Sequence, residues 1–241
     1  MPNWCSNSLT IKKATPEQIQ RIVAACEKQS LLNEFYPEPD WASIPNENGH
    51  IPGPKYKSRW LRTATHDGKQ IWRSVSHVDN RRFPNGEADQ RWYDWRTQQD
   101  NWSTKWEPDV EVTHTEGDCI DIYFDSAWCP PGDAWFAKLS EAMPNAEIVN
   151  TFEEPGCDFF GMQYATKGVC TSRCLDISSL FDPWVIKQLS PKDLVIYKDE
   201  NHPHHEEVVD NIRDVWYDNA PEVIEEALVP VLTQLQQWAT A

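Results

Sequence analysis

The chain has 241 residues, 39 % of them hydrophobic, and a formal net charge of −16. That length supports one large domain or two small ones with a sizeable core. No apolar run approaches a membrane span, and Met1–Asn7 lacks the basic-then-apolar order of a secretory signal, so the expected setting is the cytoplasm with no membrane partner. The charge is unevenly placed: residues 1–106 hold 15 Lys+Arg against 12 Asp+Glu (+3), and residues 107–241 hold 7 against 26 (−19).

In chain order, Asn7-Ser8-Leu9-Thr10-Ile11 alternates polar with apolar and predicts a short strand. Thr15-Pro16-Glu17-Gln18 is a capping box with proline in the first helical position. Ile19, Ile22, Val23 and Cys26 then repeat at helical spacing and predict one buried stripe, ending near Lys28. From residue 33 to about 90 the periodicity lapses, within an insertion placed at about 33–100. Pro37, Pro39, Pro45, Pro52, Pro54 and Pro84 punctuate a basic stretch with Lys55, Lys57, Arg59, Arg62, Arg73, Arg81, Arg82 and Arg91. This reads as an aromatic-rich insertion, with a short helix or hairpin around Trp60–Val75.

Val110, Val112 and His114 restore an alternating pattern. After the turn at Glu116-Gly117-Asp118, Ile120, Ile122 and Phe124 continue it. Two such runs predict a β-hairpin whose solvent face carries a row of carboxylates. Trp135, Phe136, Leu139 and Met143 predict a helix after Pro130-Pro131-Gly132. Residues 146–152 and 159–164 read as strands. Leaving out the insertion, the order is β-α-β-β-α-β, the split β-α-β, ferredoxin-like antiparallel sheet with two helices on one face. The expected class is therefore α+β, with a ferredoxin-like domain over 1–168 and an acidic helical C-terminal extension over 169–241. Within that extension a short strand is expected at Leu194–Tyr197. One helix is expected from His204 to Tyr217 and a second from Pro221, kinked at Pro230.

Several motifs point to one family. They are Met1-Pro2-Asn3-Trp4-Cys5-Ser6-Asn7-Ser8-Leu9-Thr10-Ile11, Phe35-Tyr36-Pro37-Glu38-Pro39, Trp92-Tyr93-Asp94-Trp95 and Asn101-Trp102-Ser103-Thr104-Lys105-Trp106. Phe124-Asp125-Ser126-Ala127-Trp128-Cys129-Pro130-Pro131 and Glu153-Glu154-Pro155-Gly156 through Phe160-Gly161 complete the set. On these the chain resembles the YubB-type ferredoxin-like family carried by phages and plasmids, over roughly residues 1–165. The resemblance implies a ferredoxin-like fold and a mobile-element origin, and no particular activity. Where family members usually have glycine, this chain has Ser103, at a position where glycine would serve an unusual backbone angle.

Four constellations compete for a function. Trp92, Trp95, Trp102, Trp106 and Trp128 with Arg96 and Lys105 are candidates for an aromatic binding platform, which stacks bases or anchors protein partners. The preferred reading of the same rings is that they plug the insertion onto the sheet, with Lys105 over an indole. Glu206, Glu207, Asp210, Asp214, Asp218 and Glu222 form a candidate acidic partner-binding face. His114, Asp118, Asp121, Asp125 and Lys105 are the only grouping suggestive of catalysis, and no P-loop, Rossmann glycine pattern or nucleophile elbow accompanies them. Cys157, Cys170, Cys174, His202, His204 and His205 lack metal-ligand spacing. Seven cysteines at irregular spacing are read as reduced thiols buried as small hydrophobes. No metal or cofactor is expected.

The expected function is a non-enzymatic accessory protein of a phage or plasmid that binds a host macromolecule, with acidity that imitates nucleic acid toward a host defence or DNA-binding protein. The alternative is a nucleic-acid-binding or nucleic-acid-processing protein that uses the Trp/Lys/Arg cluster and the basic insertion.

Overall fold

A computed structural model describes residues 3–53, 60–66, 69–74 and 81–240. In chain order its elements are β1 (Trp4–Lys12), α1 (Pro16–Glu27), α2 (Leu31–Phe35), β2 (Trp60–His66), β3 (Lys69–Ser74), α3 (Arg91–Thr97), β4 (Val110–Glu116) and β5 (Cys119–Ala127). There follow α4 (Asp133–Ala142), β6 (Glu147–Glu154), β7 (Phe159–Thr166), β8 (Val169–Asp176), α5 (Ser178–Gln188), α6 (Pro191–Lys198) and α7 (His205–Thr240). The chain forms two compact units, Met1–Tyr36 with Gln99–Ala241, and Pro37–Gln98.

In the larger unit six strands run β4-β5-β1-β6-β7-β8, each antiparallel to its neighbours. The first four, with α1 and α4 as crossovers, make the ferredoxin-like arrangement that the alternation predicts. Thr15 caps α1: its hydroxyl accepts from Gln18 N at 3.3 Å, and Thr15 N donates to Gln18 Oε1 at 2.8 Å. Pleating sends odd residues of β1 and even residues of β5 toward the helices. Leu9, Ile11, Ile120, Ile122 and Phe124 are buried there with Ile22, Trp135, Phe136 and Leu139. Each such side chain contributes about 1.5–3 kcal/mol by leaving water.

Across the sheet's other face, Phe160, Met162 and Tyr164 of β7 pack against Ile224, Leu228, Val231 and Leu235 of α7. The opposite face of β7, carrying Gly161, Gln163 and Ala165, is buried as well, so this strand is covered on both sides. Farther toward its N-terminus α7 buries Ile212 and Trp216 against Trp184 and Val185 of α5.

Three expectations need correction. Leu194–Tyr197 lies in helix α6, not a strand. Ser190 caps that helix by accepting from Asp193 N at 3.2 Å, with Pro191 in the first turn, and a four-residue apolar run carries too little periodicity to outweigh those signals. The two C-terminal helices are one helix of 36 residues running through Pro221 and Pro230. A proline in a helix interior costs roughly 3 kcal/mol, and the stripe packed on β7 and β8 offsets it. Residues 169–176 form the edge strand β8. Six of its eight side chains are polar or cysteine, which hides the strand pattern in the sequence.

In the smaller unit β2 and β3 pair antiparallel, Trp60 with Ser74 and His66 with Lys69, where a short helix or hairpin is expected around Trp60–Val75; Val75 lies outside the described residues. Among the described residues of this unit, Arg91 ties several segments together. Arg91 Nε and Nη2 grip Asp89 Oδ1 and Oδ2 at 2.8 and 2.9 Å. Nη1 donates to the carbonyls of Ile44 and Pro45, and Nη2 donates to that of Trp41. The guanidinium also lies 5.3 Å from the Trp41 ring and 5.2 Å from the Phe83 ring.

Candidate functional site

Of the platform candidates, Lys105, Trp106 and Trp128 come together, and Trp4 joins them. The Trp4 and Trp106 rings are 6.2 Å apart and tilted, while Trp106 and Trp128 stack at 6.0 Å. Lys105 Nζ sits 4.5 Å from the Trp106 centroid and 5.8 Å from that of Trp128. All three indoles are exposed, by 51, 37 and 41 % for Trp4, Trp106 and Trp128. These three adjoining rings face solvent instead of packing into a core.

The backbone supports this with strain. Trp128 has φ +69°, a left-handed conformation that is a genuine outlier for a bulky side chain. Such a residue costs on the order of 1–3 kcal/mol and is held there by its surroundings. Trp128 N donates to Asn3 O at 2.9 Å. Ser103 also takes a left-handed angle, φ +59°, at the position where a glycine is expected.

Trp102 is placed differently. It is fully buried, with Nε1 donating to Tyr36 O at 2.8 Å, so it serves packing in the loop that leads to β4. Trp92, Trp95 and Arg96 belong to the smaller unit, on α3. There Arg96 pairs with Glu38 and lies 5.3 Å from the Trp92 ring, whose neighbour is Tyr93 at 5.9 Å. Asp89 and Glu38 thus occupy the two α3 arginines, and neither is a bare cation awaiting phosphate.

Beside Trp4 and Trp106, the open face of β4, β5 and β1 forms a cleft of about 480 Å³, lined also by Glu107, Asp109, Glu111, Tyr123 and Asp125. Ser6 Oγ and Tyr123 OH reach Asp125 Oδ1 at 3.0 and 3.1 Å, and Thr10 Oγ1 reaches Asp121 Oδ1 at 2.6 Å. Glu107 caps α2 by accepting from Leu32 N and Asn33 N at 2.9 and 2.6 Å. The carboxylate row expected on the hairpin is present, and it meets the tryptophans at one end of the sheet. Sequence reasoning passed over Trp4 and Tyr123. The signal was the alternation itself: with Leu9 and Ile122 facing inward, Trp4 and Tyr123 fall on the opposite face.

On the helix-covered face, a seam of amides runs across three strands. Asn150 Nδ2 donates to Asn7 Oδ1 and Gln163 Oε1, both at 3.1 Å. Asn7 Nδ2 donates to Ser126 Oγ at 2.9 Å, and Gln163 Nε2 donates to Pro131 O at 2.8 Å. The seam ties β1, β6 and β7 to the loop before α4.

The seven cysteines are all free, but not all buried as expected: Cys157 and Cys174 are exposed. Burial pushes the thiols of Cys5 and Cys170 far up and that of Cys26 up to about 11. Cys157 is raised by a hydrogen bond to the Glu154 carboxylate, so even this exposed thiol lacks thiolate character at neutral pH. Among the described residues, no three His, Cys, Asp or Glu side chains gather in a way that would hold a metal ion. His114 lies beside Glu116 at 3.5 Å, on the exposed end of the hairpin.

The six acidic candidates, Glu206, Glu207, Asp210, Asp214, Asp218 and Glu222, are all exposed on α7. Arg213 pairs with Asp210 at 3.2 Å. Among the described residues no helix is long and apolar enough to cross a membrane.

The fold agrees with the family comparison: residues 101–178 match a family model described as the ferredoxin-like domain in Api92-like protein. Among solved structures the chain is similar to a protein api92 from Yersinia pseudotuberculosis. The identity is 12 %, the TM-score is 0.36, and the alignment covers 72 % of this chain and 98 % of that one. No curated protein matches the chain.

Proposed function

We propose that the chain is a non-enzymatic accessory protein of a phage or plasmid, of the YubB type its motifs resemble, and that it binds a host nucleic-acid-binding or defence protein through α7. The observation that carries this reading is the geometry of the acidic face. Six exposed carboxylates span Glu206 to Glu222, about 24 Å of helix at 1.5 Å per residue. That is about one charge every 5 Å, comparable with the one phosphate per 3.4 Å of axis on a DNA strand. Within the same stretch of helix Ile212 and Trp216 are buried against α5, so the charged stretch is anchored to the larger unit. A surface of this sign repels nucleic acid and attracts the proteins that bind it.

Capture from a host lysate tests the reading. The immobilised protein is expected to retain nucleic-acid-binding proteins in a salt-sensitive manner. The combined variant Glu206→Lys, Asp210→Lys, Asp214→Lys is expected to release them. Capture that is unchanged by this variant would refute the role of α7.

One observation favours the alternative, direct binding of nucleic acid: Lys105 lies over Trp106 and Trp128, the pairing of cation and exposed ring that single-strand binders use. A gel shift against single- and double-stranded DNA and RNA at low salt decides it, and absence of a shift at micromolar protein eliminates it.

A further inference from the structure

We propose that the cleft between Trp4, Trp106 and Tyr123 is a receptor for an arginine side chain presented by a partner protein. The site is separate from the acidic track of α7 and does not depend on it. Its walls are aromatic and its rim is anionic. Trp4 and Trp106 stand 6.2 Å apart at a mutual tilt of 36°, and Tyr123 lies on the adjoining strand of the same face. Asp109, Glu111 and Asp125 line the same cleft, Asp125 with Oδ1 accepting from Ser6 and Tyr123. Among the described residues no lysine or arginine lines it; Lys105 Nζ sits 4.5 Å from the Trp106 centroid, and carboxylates still outnumber cations there. Glu107 also lines it, but its oxygens are committed to the first turn of α2.

Charge decides between the occupants. A stacked base would bring phosphates against three carboxylates, whereas a guanidinium meets them with opposite sign. A planar cation also uses both features at once, stacking on indole faces while donating in parallel to a carboxylate. Lysine offers no plane to stack. The chain itself repeats the arginine-on-ring contact, with Arg21 at 4.7 Å from Phe35, Arg91 at 5.3 Å from Trp41 and Arg96 at 5.3 Å from Trp92. A second, independent feature marks the site as built for contact. Trp128 does not line the cleft, yet it is held at φ +69° with its exposed ring stacked on Trp106. An unfavourable backbone angle is thereby maintained to buttress a ring that faces solvent.

The test uses the full chain and a fluorescently labelled peptide with one arginine between glycines, followed by anisotropy. Comparison peptides carry citrulline or lysine in its place, and a labelled single-stranded oligonucleotide is the third probe. The arginine peptide is expected to bind saturably, the citrulline peptide to bind at least about tenfold more weakly, and the lysine peptide to fall between. Trp106→Ala is expected to weaken the arginine peptide by about tenfold. Glu111→Gln, an exposed and conservative change that leaves the fold intact, is expected to weaken it several-fold, and the triple lysine variant of α7 to leave it unchanged. Equal binding of arginine and citrulline peptides would overturn the proposal. So would indifference to both Trp106→Ala and Glu111→Gln, or binding of the oligonucleotide in preference to the peptide.

Discussion

Replacing Arg91 with alanine should unfold the Pro37–Gln98 unit while leaving the ferredoxin-like sheet in place. Asp89 is 1 % exposed and Phe83 is buried, so Arg91 is bound to buried groups of this unit through both its ion pair and its ring contact. Removing it strands a buried carboxylate, a change that typically costs about 3–5 kcal/mol. It also deletes two ring contacts worth roughly 0.5–1 kcal/mol each at partly exposed sites and frees three carbonyls. The sum rivals the whole stability of a small domain, about 5–15 kcal/mol. Arg91→Lys keeps the charge but loses the two-pronged grip, and should fall between the two. Asp89→Asn with Arg91→Met should be milder than Arg91→Ala alone, because both partners are removed. Acid gives an orthogonal check. Burial would raise the Asp89 carboxyl, but hydrogen bonds from Arg91 outweigh it and hold the group below its ordinary 3.8. The unfolded chain therefore takes up the proton first, and the stabilisation is complete above that value and lost as pH falls through the lower folded one. Hydrogen exchange read separately over residues 37–53, 81–98 and the sheet is the assay. Unchanged protection of 37–53 and 81–98 in Arg91→Ala would refute the reasoning.

Three further outcomes follow from the larger unit. Leu235→Ala removes a fully buried side chain between α7 and β7 and should cost about 2–5 kcal/mol in denaturant unfolding; α7 should loosen, and capture of partners should fall with it. Asn150→Ala interrupts the amide seam, leaves Asn7 Oδ1 and Gln163 Oε1 without their donor, and should cost about 1–3 kcal/mol by the same measurement. Ser103→Gly relieves a left-handed serine and should raise stability by about 1 kcal/mol, read as a higher midpoint with an unchanged denaturant slope.

The legible part of the fold is β1, α1 and the run from β4 through β7. There, alternation and a capping box carry the pattern, and the buried face is continuous enough to fix the register. Legibility fades where packing replaces pattern. Val169–Asp176 is an edge strand whose side chains are mostly polar, and Leu194–Tyr197 is too short an apolar run for its period to be read. Pro221 signals a helix start in the sequence, yet tertiary burial of Ile224 and Leu228 carries the helix through it. The site was half legible. Lys105, Trp106 and Trp128 were among the candidates, but density of tryptophan alone does not separate Trp102, which is buried, from Trp106, which is exposed. Nor does it reveal that Trp92, Trp95 and Arg96 belong to another compact unit. Trp4 reaches the site only because β1 pairs with β5 in a register that sets Trp4 opposite Ala127, a contact across more than a hundred residues.

Competition with DNA is the decisive test of the proposal that α7 stands in for a nucleic-acid backbone. A captured host protein, once purified, is challenged with a short DNA duplex while bound to the immobilised chain. The account predicts displacement in proportion to duplex concentration, and no retention by the Glu206→Lys, Asp210→Lys, Asp214→Lys variant. A captured protein that stays bound in the presence of saturating duplex, and that binds the variant equally well, would contradict it.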